Sequence, residues 1–519
     1  MGWHKGIRIR NGKVIKGALA LFILYDNMII FFTKAPALGF GKSRLKEILS
    51  DEDILKLNKK LIKDNYDIIR EYEHVIYYDG ALSDLSFLDI DRNVRAIAQH
   101  GDGLGERMKN AIYAELKDSR SILLTGSDLT GLDSNLIDEA FLSLSKCDAV
   151  ITPTYDGGYG LIGMKEKIDL FSDITYSTNM VYLDVINRAT AFNKSITSIG
   201  RLDDVDSFCD IIRAELGGYY GELEEIGRGE YNINYLYYDS EHGKSVFRIN
   251  LDSQLGLGKE QIAYEFNALR ELQSSGVTPR AYYYKTDGYL LPYGYLTMEY
   301  LSGRALDYKT DLEIAARLLA NVHNVDIKNS KLIRADKPFQ VMYDEFLNMY
   351  GVYQEWSGKS DIVTTYIDRF MHAISQDGLD DDIINPVIIN TELNNRNFII
   401  GEKSFIIDWE KPIIGEAEQD IAHFMVPTTT NWKTDVILDD DEMDFFINEY
   451  ERYRKVDRNR LKKYLRFNCL RGITWCAMAK VEYSSDRGIK NMDTLAKIDK
   501  FLSEDFLRML EYRFFKEIL

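Results

Sequence analysis

The chain has 519 residues, of which 45% are hydrophobic and 28% are charged, a balance typical of globular proteins and not of disordered ones. This length exceeds what one hydrophobic core usually supports, so two or three domains are expected. The formal net charge of −18 argues against a surface that binds nucleic acid or acidic membranes broadly, although local basic pockets could still bind nucleotides.

The first 27 residues combine basic residues with a short apolar run, Ala18 to Tyr25. A run of this length is too short to cross a bilayer as a helix, and no small-residue cleavage site follows it, as one would in a signal peptide. We therefore expect residues 1–27 to be an extension outside the fold, with a targeting segment as the alternative.

The four cysteines are scattered and form no CxxC pair, and the chain contains only seven histidines. This pattern argues against a zinc site or a disulfide framework and favours a reducing compartment. We expect a cytoplasmic protein that has no stable membrane span.

Residues 28–217 alternate apolar strands with amphipathic helices. The strand patterns are MIIFFT, HVIYYD, SILLTGSD and DAVITPTYD, and the helix patterns include GLGERMKNAIYAEL and SNLIDEAFLSLS. Strands that are apolar throughout and alternate with helices predict a mostly parallel α/β sheet covered on both faces. Because ligands bind at the carboxyl ends of such strands, the polar residues there are candidate site residues.

A glycine-containing loop, TKAPALGFGKSRL, follows the first strand and carries Lys34, Lys42 and Arg44. The backbone N–H groups of such a loop can approach phosphates, and the cations can neutralise them. The spacing is not that of a Walker A loop. The loop therefore indicates a phosphate site, with an ordinary surface loop as the alternative.

Two further motifs lie at predicted strand ends. Asp128 closes a buried strand in LLTGSDLTGL, a position where a carboxylate can hold Mg²⁺ that bridges nucleotide phosphates. Asp156 precedes Gly157 and Gly158 in YDGGYGLIG, and the two glycines would allow a ligand or another backbone to approach closely.

The motif LDDVDS supplies Asp204 and Asp206 near the end of this half. One interpretation is a metal site, and the other is a helix N-terminus capped by Asp206 or Ser207. The second interpretation still leaves Asp204 available to a metal.

Six motifs of this half occur together in one known family. They are FFTKAPALGFGKSRL, QHGDGLGERM, LLTGSDLTGL, DGGYGLIGM, ITYSTNMV and LDDVDS, and in this order they resemble the selenodomain-associated transferase 1 family. That family is glycosyltransferase-A-like and is related to the phospholactate guanylyltransferases. The resemblance covers nearly all of residues 28–217 and implies a nucleotide-diphospho-sugar transferase fold, which hosts both nucleotidyl and glycosyl transfer.

The resemblance also implies roles for individual residues. Lys42 and Arg44 would be catalytic cations that hold the triphosphate together with Lys34. Asp128 would ligate Mg²⁺, and Asp204 could be a second ligand. The other residues expected to face the nucleotide or the substrate are Gln99, Asp102, Arg107, Asp156, Gly157 and Gly158. One departure is GSDLTGL, where the family usually has Cys-Pro after the aspartate.

From about Gly217 the pattern changes to that of a domain with two lobes. YNINYLYYD, KSVFRIN and YLTMEYL predict antiparallel strands, which are interrupted by a long helix, KEQIAYEFNALRELQSSG. Further along, helices dominate. A small β-rich lobe over residues 218–302 and a helical lobe over residues 303–519 are the layout of a protein-kinase-like α+β fold.

The small lobe has candidate residues in the order in which a kinase places its ATP site. Gly227 and Gly229 lie in a hairpin that could cover the phosphates. Arg248 stands where a kinase carries its phosphate-binding lysine, and Glu265 follows on the next helix. Such a pair could also be an ordinary surface ion pair. Glu299 to Leu301 correspond to the hinge that would meet adenine.

The helical lobe contains NTELNNRNF, followed by IIDWE and then by EQDIAHF. This order resembles the H-x-D-x-x-x-x-N loop and metal aspartate of the aminoglycoside phosphotransferase and choline kinase family. By resemblance, Glu392 stands at the position of the catalytic base, Asn397 and Asp408 would hold Mg²⁺, and Asp420 would be the structural acid behind the loop. Asn390 replaces the histidine and Glu392 replaces the aspartate, so a carboxylate is still present.

We therefore expect a bifunctional transferase that uses Mg²⁺, ATP and a second NTP. The C-terminal domain would phosphorylate a small hydroxylated metabolite, and the N-terminal domain would transfer a nucleotidyl group to that phosphate with release of pyrophosphate. The alternatives are a glycosyltransferase fused to a kinase and a nucleotide-binding pseudokinase fused to a transferase. The expected partners are small molecules and not nucleic acid, and a homodimer is compatible with the sequence. The acceptor and the preferred base stay open.

Overall fold

The computed structural model describes residues 9–10, 13–14, 27–219, 221–229, 231–484 and 492–517. The chain divides into two compact units, the first comprising Met1–Gly221 and Gly288–Pro292 and the second comprising Glu222–Asp287 and Tyr293–Leu519. The predicted extension over residues 1–27 lies largely outside the described residues. The predicted boundary near Gly217 stays a prediction.

The first unit alternates strands with helices. Its strands are β1 (Ile9–Arg10), β2 (Lys13–Val14), β3 (Asn27–Lys34), β4 (His74–Asp79), β5 (Ala96–Ala98), β6 (Ser121–Thr125), β7 (Leu129–Thr130), β8 (Ala149–Pro153), β9 (Tyr159–Met164), β10 (Ile196–Ser198) and β11 (Asp203–Asp204). Its helices are α1 (Asp51–Ile69), α2 (Leu104–Glu115), α3 (Ser134–Leu144), α4 (Val181–Ala191) and α5 (Phe208–Glu215), with short 3₁₀ helices at Ser43–Leu45 and Leu82–Leu88.

Seven of these strands form one sheet in the order β10-β8-β9-β6-β3-β4-β5. Only β9 runs antiparallel to its neighbours, β6 and β8, and the other pairings are parallel. Because successive side chains of a strand point to opposite faces, Ile29 and Phe31 of β3 pack with α1 and α3, while Ile30 and Phe32 pack with α2 and α4. The predicted α/β class with a parallel-rich sheet is confirmed.

Helix α5 begins at a capping box. The Asp210 carboxylate accepts hydrogen bonds from the Ser207 N–H and from the Ser207 hydroxyl, both at 2.7 Å, and the Ser207 side chain also caps the N–H of Asp210. Such reciprocal bonds satisfy N–H groups that have no partner inside the helix. Of the two residues predicted to cap this helix, Ser207 is therefore the cap, and the side chain of Asp206 does not take this role.

The second unit begins with a sheet and continues with helices. Its strands are β12 (Glu224–Arg228), β13 (Asn232–Asp239), β14 (Gly243–Asn250), β15 (Ala281–Lys285), β16 (Gly294–Glu299), β17 (Arg304–Ala305), β18 (Pro386–Ile389), β19 (Phe398–Ile400), β20 (Phe405–Ile406) and β21 (Ile413–Glu416). Its helices are α6 (Gln261–Leu272), α7 (Leu312–His323), α8 (Pro338–Glu355), α9 (Asp361–Gln376), α10 (Ala417–Met425), α11 (Pro427–Lys433), α12 (Asp440–Glu451), α13 (Arg458–Ser484), α14 (Met492–Phe501) and α15 (Glu504–Leu510). Short 3₁₀ helices cover Gly258–Glu260, Gln273–Ser275 and Asn395–Asn397, and a π-helix covers Glu511–Phe515.

The five-stranded antiparallel sheet of this unit has the order β12-β13-β14-β16-β15. Two smaller sheets, β17-β19-β20 and β18-β21, lie in the helical part. One hydrophobic core joins α6 to the helical lobe, and it includes the fully buried Trp409. The small β-rich lobe followed by a helical lobe has the predicted kinase-like layout.

No helix within the described ranges combines the length and the apolar character that crossing a membrane requires.

Candidate functional site

The carboxyl ends of the central strands of the first unit bring three aspartates together. Asp128 lies three residues after the end of β6 and directly before β7. Strand β11, which contains Asp204, pairs antiparallel with β7 so that Asp204 lies opposite Leu129. The N–H of Val205 donates to the carbonyl of Asp128 at 3.2 Å. As a result, carboxylate oxygens of Asp128, Asp204 and Asp206 all lie within 4.8 Å of one another. We call these three residues the aspartate cluster.

The side chain of Lys42 points into the aspartate cluster. Its Nζ lies 3.3 Å from Asp128 Oδ2 and 3.5 Å from Asp206 Oδ1, and it also donates to the carbonyl of Val205. Burial alone would lower the pKa of Lys42, but the negative charges of the cluster outweigh burial and raise this pKa. The ammonium group therefore supplies a positive charge among the three carboxylates.

The aspartate cluster fits a divalent cation. Carboxylate oxygens are the ligands that Mg²⁺ prefers, and Oδ1 of Asp204 is buried without a hydrogen-bond partner among the described residues. Burial, followed by the charges of Asp128 and Asp206, raises the pKa of Asp204 to about 8. Like charges at such short range favour either a proton or a bound cation. Asp206, for which the sequence left a capping role open, thus lies beside Asp128 and Asp204, the two predicted metal ligands.

Gln99 and Arg107 lie at the same edge of the sheet and contact the protein itself. Gln99 Nε2 donates to the carbonyls of Thr33 and Tyr77 at 2.9 and 3.1 Å, so it ties the ends of β3 and β4 together. Arg107 Nη1 lies 3.0 Å from Asp79 Oδ2. Three further predicted nucleotide contacts, Lys34, Arg44 and Asp102, are exposed.

Asp156, Gly157 and Gly158 form a tight turn. Oδ1 of Asp156 accepts hydrogen bonds from the Thr154 hydroxyl at 2.5 Å and from the Gly158 N–H at 3.0 Å. Gly157 has a φ of +88°, and a Cβ at this position would collide with the carbonyl of Asn179. Gly157 thus allows the backbone of Asn179 to approach closely. Of the two predicted possibilities, a ligand or another backbone, this is the second. Contact between this turn and a nucleotide stays a prediction.

In the second unit, Arg248 of β14 is buried among three carboxylates. Its Nε lies 2.9 Å from Glu265 Oε1, and its Nη2 lies 2.9 Å from Asp408 Oδ1 and 3.2 Å from Glu410 Oε2. Asn234, which the strand register places opposite Arg248, accepts from Nη1 at 3.4 Å. Burial alone would lower the pKa of Arg248, but the carboxylates raise it. Arg248 therefore lies in one site with Glu265 and Asp408.

Glu410 belongs to this site although sequence reasoning did not single it out. Its carboxylate contacts Arg248 and accepts from Gln254 Nε2 at 3.3 Å. Burial, followed by the charge of Asp408, raises the pKa of Glu410 to about 7. The signal in the sequence was its place in the IIDWE motif, two residues after the predicted metal ligand Asp408.

Asp408 and Asn397 face each other at the candidate metal position. Asn397 Nδ2 lies 3.4 Å from Asp408 Oδ2, and Asn390 Nδ2 donates to the Asp408 carbonyl at 2.8 Å. Asp408 has a left-handed backbone with a φ of +68°. The next residue, Trp409, is buried and donates from Nε1 to the Ile406 carbonyl at 3.0 Å. This anchor fixes the turn that presents the Asp408 carboxylate.

The predicted catalytic loop contains a strained residue, Thr391, with a φ of +74°. A β-branched residue rarely adopts this conformation, which costs on the order of 1–3 kcal/mol. The N–H groups of Asn390 and Thr391 donate to the two carboxylate oxygens of Asp420 at 2.8 and 2.9 Å. Asp420 is fully buried, and His323 Nε2 lies 3.3 Å from it. Asp420 therefore fixes the backbone that leads into Glu392.

Glu392 forms ion pairs with two cations. Its Oε1 lies 2.7 Å from Lys411 Nζ and 3.5 Å from Arg471 Nη2. Burial opposes ionisation, but Lys411 and Arg471 together lower the pKa of Glu392 to about 2. The side chain is still 41% exposed, so a ligand can reach it. The carboxylate is thus ionised at neutral pH and can accept a hydrogen bond from a hydroxyl group.

Lys411 and Arg471 were not singled out in the sequence. They reach Glu392 from 19 and 79 residues further along the chain. Lys411 directly follows the IIDWE motif, which was a usable signal. For Arg471 the sequence offered no signal, because its contact with Glu392 depends on how helix α13 packs in the fold.

His423 lies close to the Glu392 ion pairs. Its Nδ1 is 3.2 Å from Asn468 Oδ1. Burial, followed by the charge of Arg471, lowers the pKa of His423 to about 4, whereas the charges of Glu392 and Asp420 act in the opposite direction. The imidazole is therefore neutral at neutral pH.

The pKa of His423 makes stability depend on pH. Because the folded pKa of about 4 lies below the ordinary value of 6.5, the unfolded chain binds more protons between these values. We expect the free energy of unfolding to fall by about 3 kcal/mol as the pH drops from 6.5 to 4. In His423→Gln, urea unfolding should no longer show this decrease in the free energy of unfolding. The decrease should persist in the control His242→Gln. An unchanged pH dependence in His423→Gln would show that His423 is not its source.

Gly227 and Gly229 lie on the first hairpin of the small lobe. A bulge interrupts the pairing between Glu225 and Gly227, and the Gly229 N–H donates to the Asn232 carbonyl at 2.8 Å. A Cβ at either glycine would make only ordinary contacts, at 3.8 and 3.7 Å. Packing within the protein therefore does not require glycine at these positions.

The predicted hinge, Glu299 to Leu301, begins at the end of β16. The N–H of Glu299 donates to the Arg280 carbonyl at 2.8 Å, and its Oε2 accepts from the Arg280 N–H at 3.2 Å. Leu301 is half-buried. Binding of adenine by this segment stays a prediction.

Two family models match the chain. Residues 222–456 match the model described as "Phosphotransferase enzyme family". Residues 67–178 match the model described as "Uncharacterized protein conserved in bacteria (DUF2064)". The phosphotransferase match confirms the predicted enzyme class, a transferase, and a kinase-like domain in the second unit.

Solved structures similar to each half of the chain are known. A "putative nucleotide-diphospho-sugar transferase" from Desulfovibrio desulfuricans G20 is 28% identical, and the match covers 37% of this chain and 86% of that one with a TM-score of 0.35. A choline/ethanolamine kinase family protein from Mesorhizobium loti is 16% identical over 58% of this chain and 97% of that one, with a TM-score of 0.42. A choline kinase from Streptococcus pneumoniae is 17% identical over 58% and 98%, with a TM-score of 0.40.

Proposed function

We propose that the chain is a bifunctional transferase whose two units catalyse consecutive reactions. The second unit phosphorylates a hydroxyl group of a small metabolite with ATP. The first unit then transfers a nucleotidyl group from a second NTP to that phosphate. The observation that carries the kinase part is the assembly of Asn397, Asp408 and an ionised, accessible Glu392 within residues that match the phosphotransferase family.

In the kinase reaction, Asp408 and Asn397, with Glu410 beside them, would hold Mg²⁺, which neutralises charge on the ATP phosphates. Arg248, oriented by Glu265, would bind a phosphate oxygen. Glu392 would orient the acceptor hydroxyl and take its proton late in the transfer. The bond from that oxygen to the γ-phosphorus forms as the bond to ADP breaks. Positioning supplies most of the acceleration, so the acidity of Glu392 does not prevent the reaction.

In the nucleotidyl reaction, the aspartate cluster would hold Mg²⁺, which stabilises charge on the triphosphate. The exposed Lys34 and Arg44 would bind its β- and γ-phosphates together with Lys42. A phosphate oxygen of the acceptor attacks the α-phosphorus, and the bond to the β-phosphate breaks, so pyrophosphate leaves. No covalent intermediate with the protein is needed, and the residues act by orientation and charge.

The test is to incubate the purified chain with Mg²⁺, ATP and a panel of sugars, polyols and amino alcohols, and then with CTP, GTP or UTP. ADP should form only with an accepted alcohol, and pyrophosphate should appear only when that alcohol or its phosphate is present. Pyrophosphate release that never depends on either compound would contradict the coupling. NDP-sugar turnover without pyrophosphate would favour the glycosyltransferase alternative. ATP binding without ADP formation across the panel would favour a pseudokinase.

Substitution of Glu392 tests its role as proton acceptor. Glu392→Gln keeps the shape and removes the charge, so we expect the rate of ADP formation to fall by about 10²-fold. Glu392→Asp keeps the charge but shortens the side chain and should give an intermediate rate. Glu402→Gln, at an exposed glutamate, is the matched control and should have no effect. Wild-type rates in both Glu392 variants would show that Glu392 is not the base.

A further inference from the structure

The segment from Asn390 to Glu392 is held by contacts from several elements. Asp420 of α10 binds two successive N–H groups of this segment, and the Thr391 hydroxyl donates to the Lys411 carbonyl at 3.4 Å. The carbonyl of Thr391 accepts from Nη1 of Arg471 at 3.0 Å. A strained φ persists only where the surroundings determine it fully, so the residue that binds this carbonyl matters to the loop.

Arg471 is itself rigidly placed on α13. It continues the helix face that carries Phe467, one turn earlier, whose ring packs on Phe339 and Phe346 of α8 with centroid distances of 4.8 and 5.9 Å. Its Nε and Nη2 lie 3.4 and 3.2 Å from Oε1 of Glu345, also on α8. The Arg471 side chain is 15% exposed. The packing of α8 and α13 therefore fixes the position of the guanidinium.

We infer that Arg471 is a positioning residue of the phosphotransferase site. One guanidinium binds both the carbonyl that precedes Glu392 and, at 3.5 Å, the carboxylate of Glu392. Glutamate has one more rotatable bond than the aspartate of the family that this loop resembles. The contacts with Arg471 and Lys411 remove that freedom and set where the carboxylate lies. The consequence for catalysis rests on the proposed kinase function, whereas the consequence for the loop conformation does not.

Arg471→Lys is the informative variant. Lysine keeps the positive charge, but one ammonium group cannot reproduce the fork of a guanidinium that contacts Thr391, Glu345 and Glu392 together. The matched control is Arg466→Lys on the same helix. Arg466 is 10% exposed and pairs with Asp377, so it offers similar burial while its ion pair, within the described part of the chain, lies away from residues 390–392.

Two measurements separate positioning from a purely structural role. In Arg471→Lys we expect kcat for ADP formation to fall by about 10–100-fold, with KM for ATP within about threefold of wild type and a melting temperature equal to that of the control. Amide hydrogen exchange at residues 390–392 should accelerate by about tenfold, while exchange in the rest of α13 stays as in wild type.

Unchanged kcat and unchanged exchange in Arg471→Lys would overturn the inference. Faster exchange throughout the helical lobe, with a lower melting temperature, would also overturn it, because Arg471 would then be structural. If Arg471→Lys does not fold, Glu345→Gln removes a partner of the guanidinium and leaves Arg471 intact, and the same two readouts apply. If the wild type forms no ADP with any acceptor, the proposed function fails, and exchange at residues 390–392 alone decides whether Arg471 sets the loop.

Discussion

Replacing Asp408 with asparagine is expected to lower ADP formation by about 10³-fold. The substitution removes the carboxylate charge that would hold the metal. Charge stabilisation by a metal lowers the activation free energy by several kcal/mol, and each change of about 1.4 kcal/mol alters the rate tenfold. Asparagine keeps the shape of the side chain. Arg248 would also keep Glu265 and Glu410 as partners, so the site should stay folded.

The measurement is ADP formation with an accepted alcohol, accompanied by the melting temperature of each protein. Asp128→Asn is the control for Asp408→Asn, because it alters a carboxylate in the other unit and should leave ADP formation unchanged. ADP formation at the wild-type rate in Asp408→Asn would mean that the second unit does not use this carboxylate for catalysis. Loss of ADP formation in both variants would mean that the effect is not specific to the second unit and comes from misfolding or from a metal that both units need.

Replacing Asp128 with asparagine is expected to lower pyrophosphate release by about 10²–10³-fold. Asp128 belongs to the aspartate cluster, and its Oδ2 lies 3.3 Å from Lys42 Nζ. Its loss removes a candidate metal ligand and also changes the position of the Lys42 ammonium. Binding of Mn²⁺, measured by electron paramagnetic resonance without nucleotide, should weaken in the same variant. This second readout does not depend on knowing the acceptor.

Asp408→Asn is the reciprocal control for this experiment and should leave pyrophosphate release unchanged when the phosphorylated acceptor is supplied directly. A variant Asp128→Asn that binds Mn²⁺ as tightly as wild type would remove the aspartate cluster as the metal site. A variant that loses Mn²⁺ binding yet releases pyrophosphate normally would place the reaction elsewhere.

The secondary structure of both units follows from patterns that are local in the sequence. Ile29 to Phe32 form an unbroken apolar run because β3 is buried on both faces, and such a run is visible without knowledge of the fold. The order of Arg248, Glu265 and Asp408 likewise predicted that these residues belong to one site, and the structure places both carboxylates 2.9 Å from the guanidinium. Their roles in binding stay predictions.

The electrostatic state of the site could not be predicted in the same way. Lys42 was expected to hold a triphosphate, but its side chain direction depends on a left-handed backbone with a φ of +43°, which aims the ammonium at the aspartate cluster. The acidity of Glu392 depends on Lys411 and Arg471, and Arg471 is distant in sequence. Contacts of this kind are set by helix packing and not by a local pattern.

The capping box at the start of α5 divides two roles between neighbouring acids. Asp210 satisfies the N–H groups at the helix end, and it also binds the backbone of Asp206 at 3.1 Å. Asp206 can therefore contribute its charge to the aspartate cluster without being needed to start the helix. The charge of the aspartate cluster and the stability of the adjoining helix can thus be varied independently, so a substitution at Asp206 should change the charge of the candidate metal site while the fold around it stays intact.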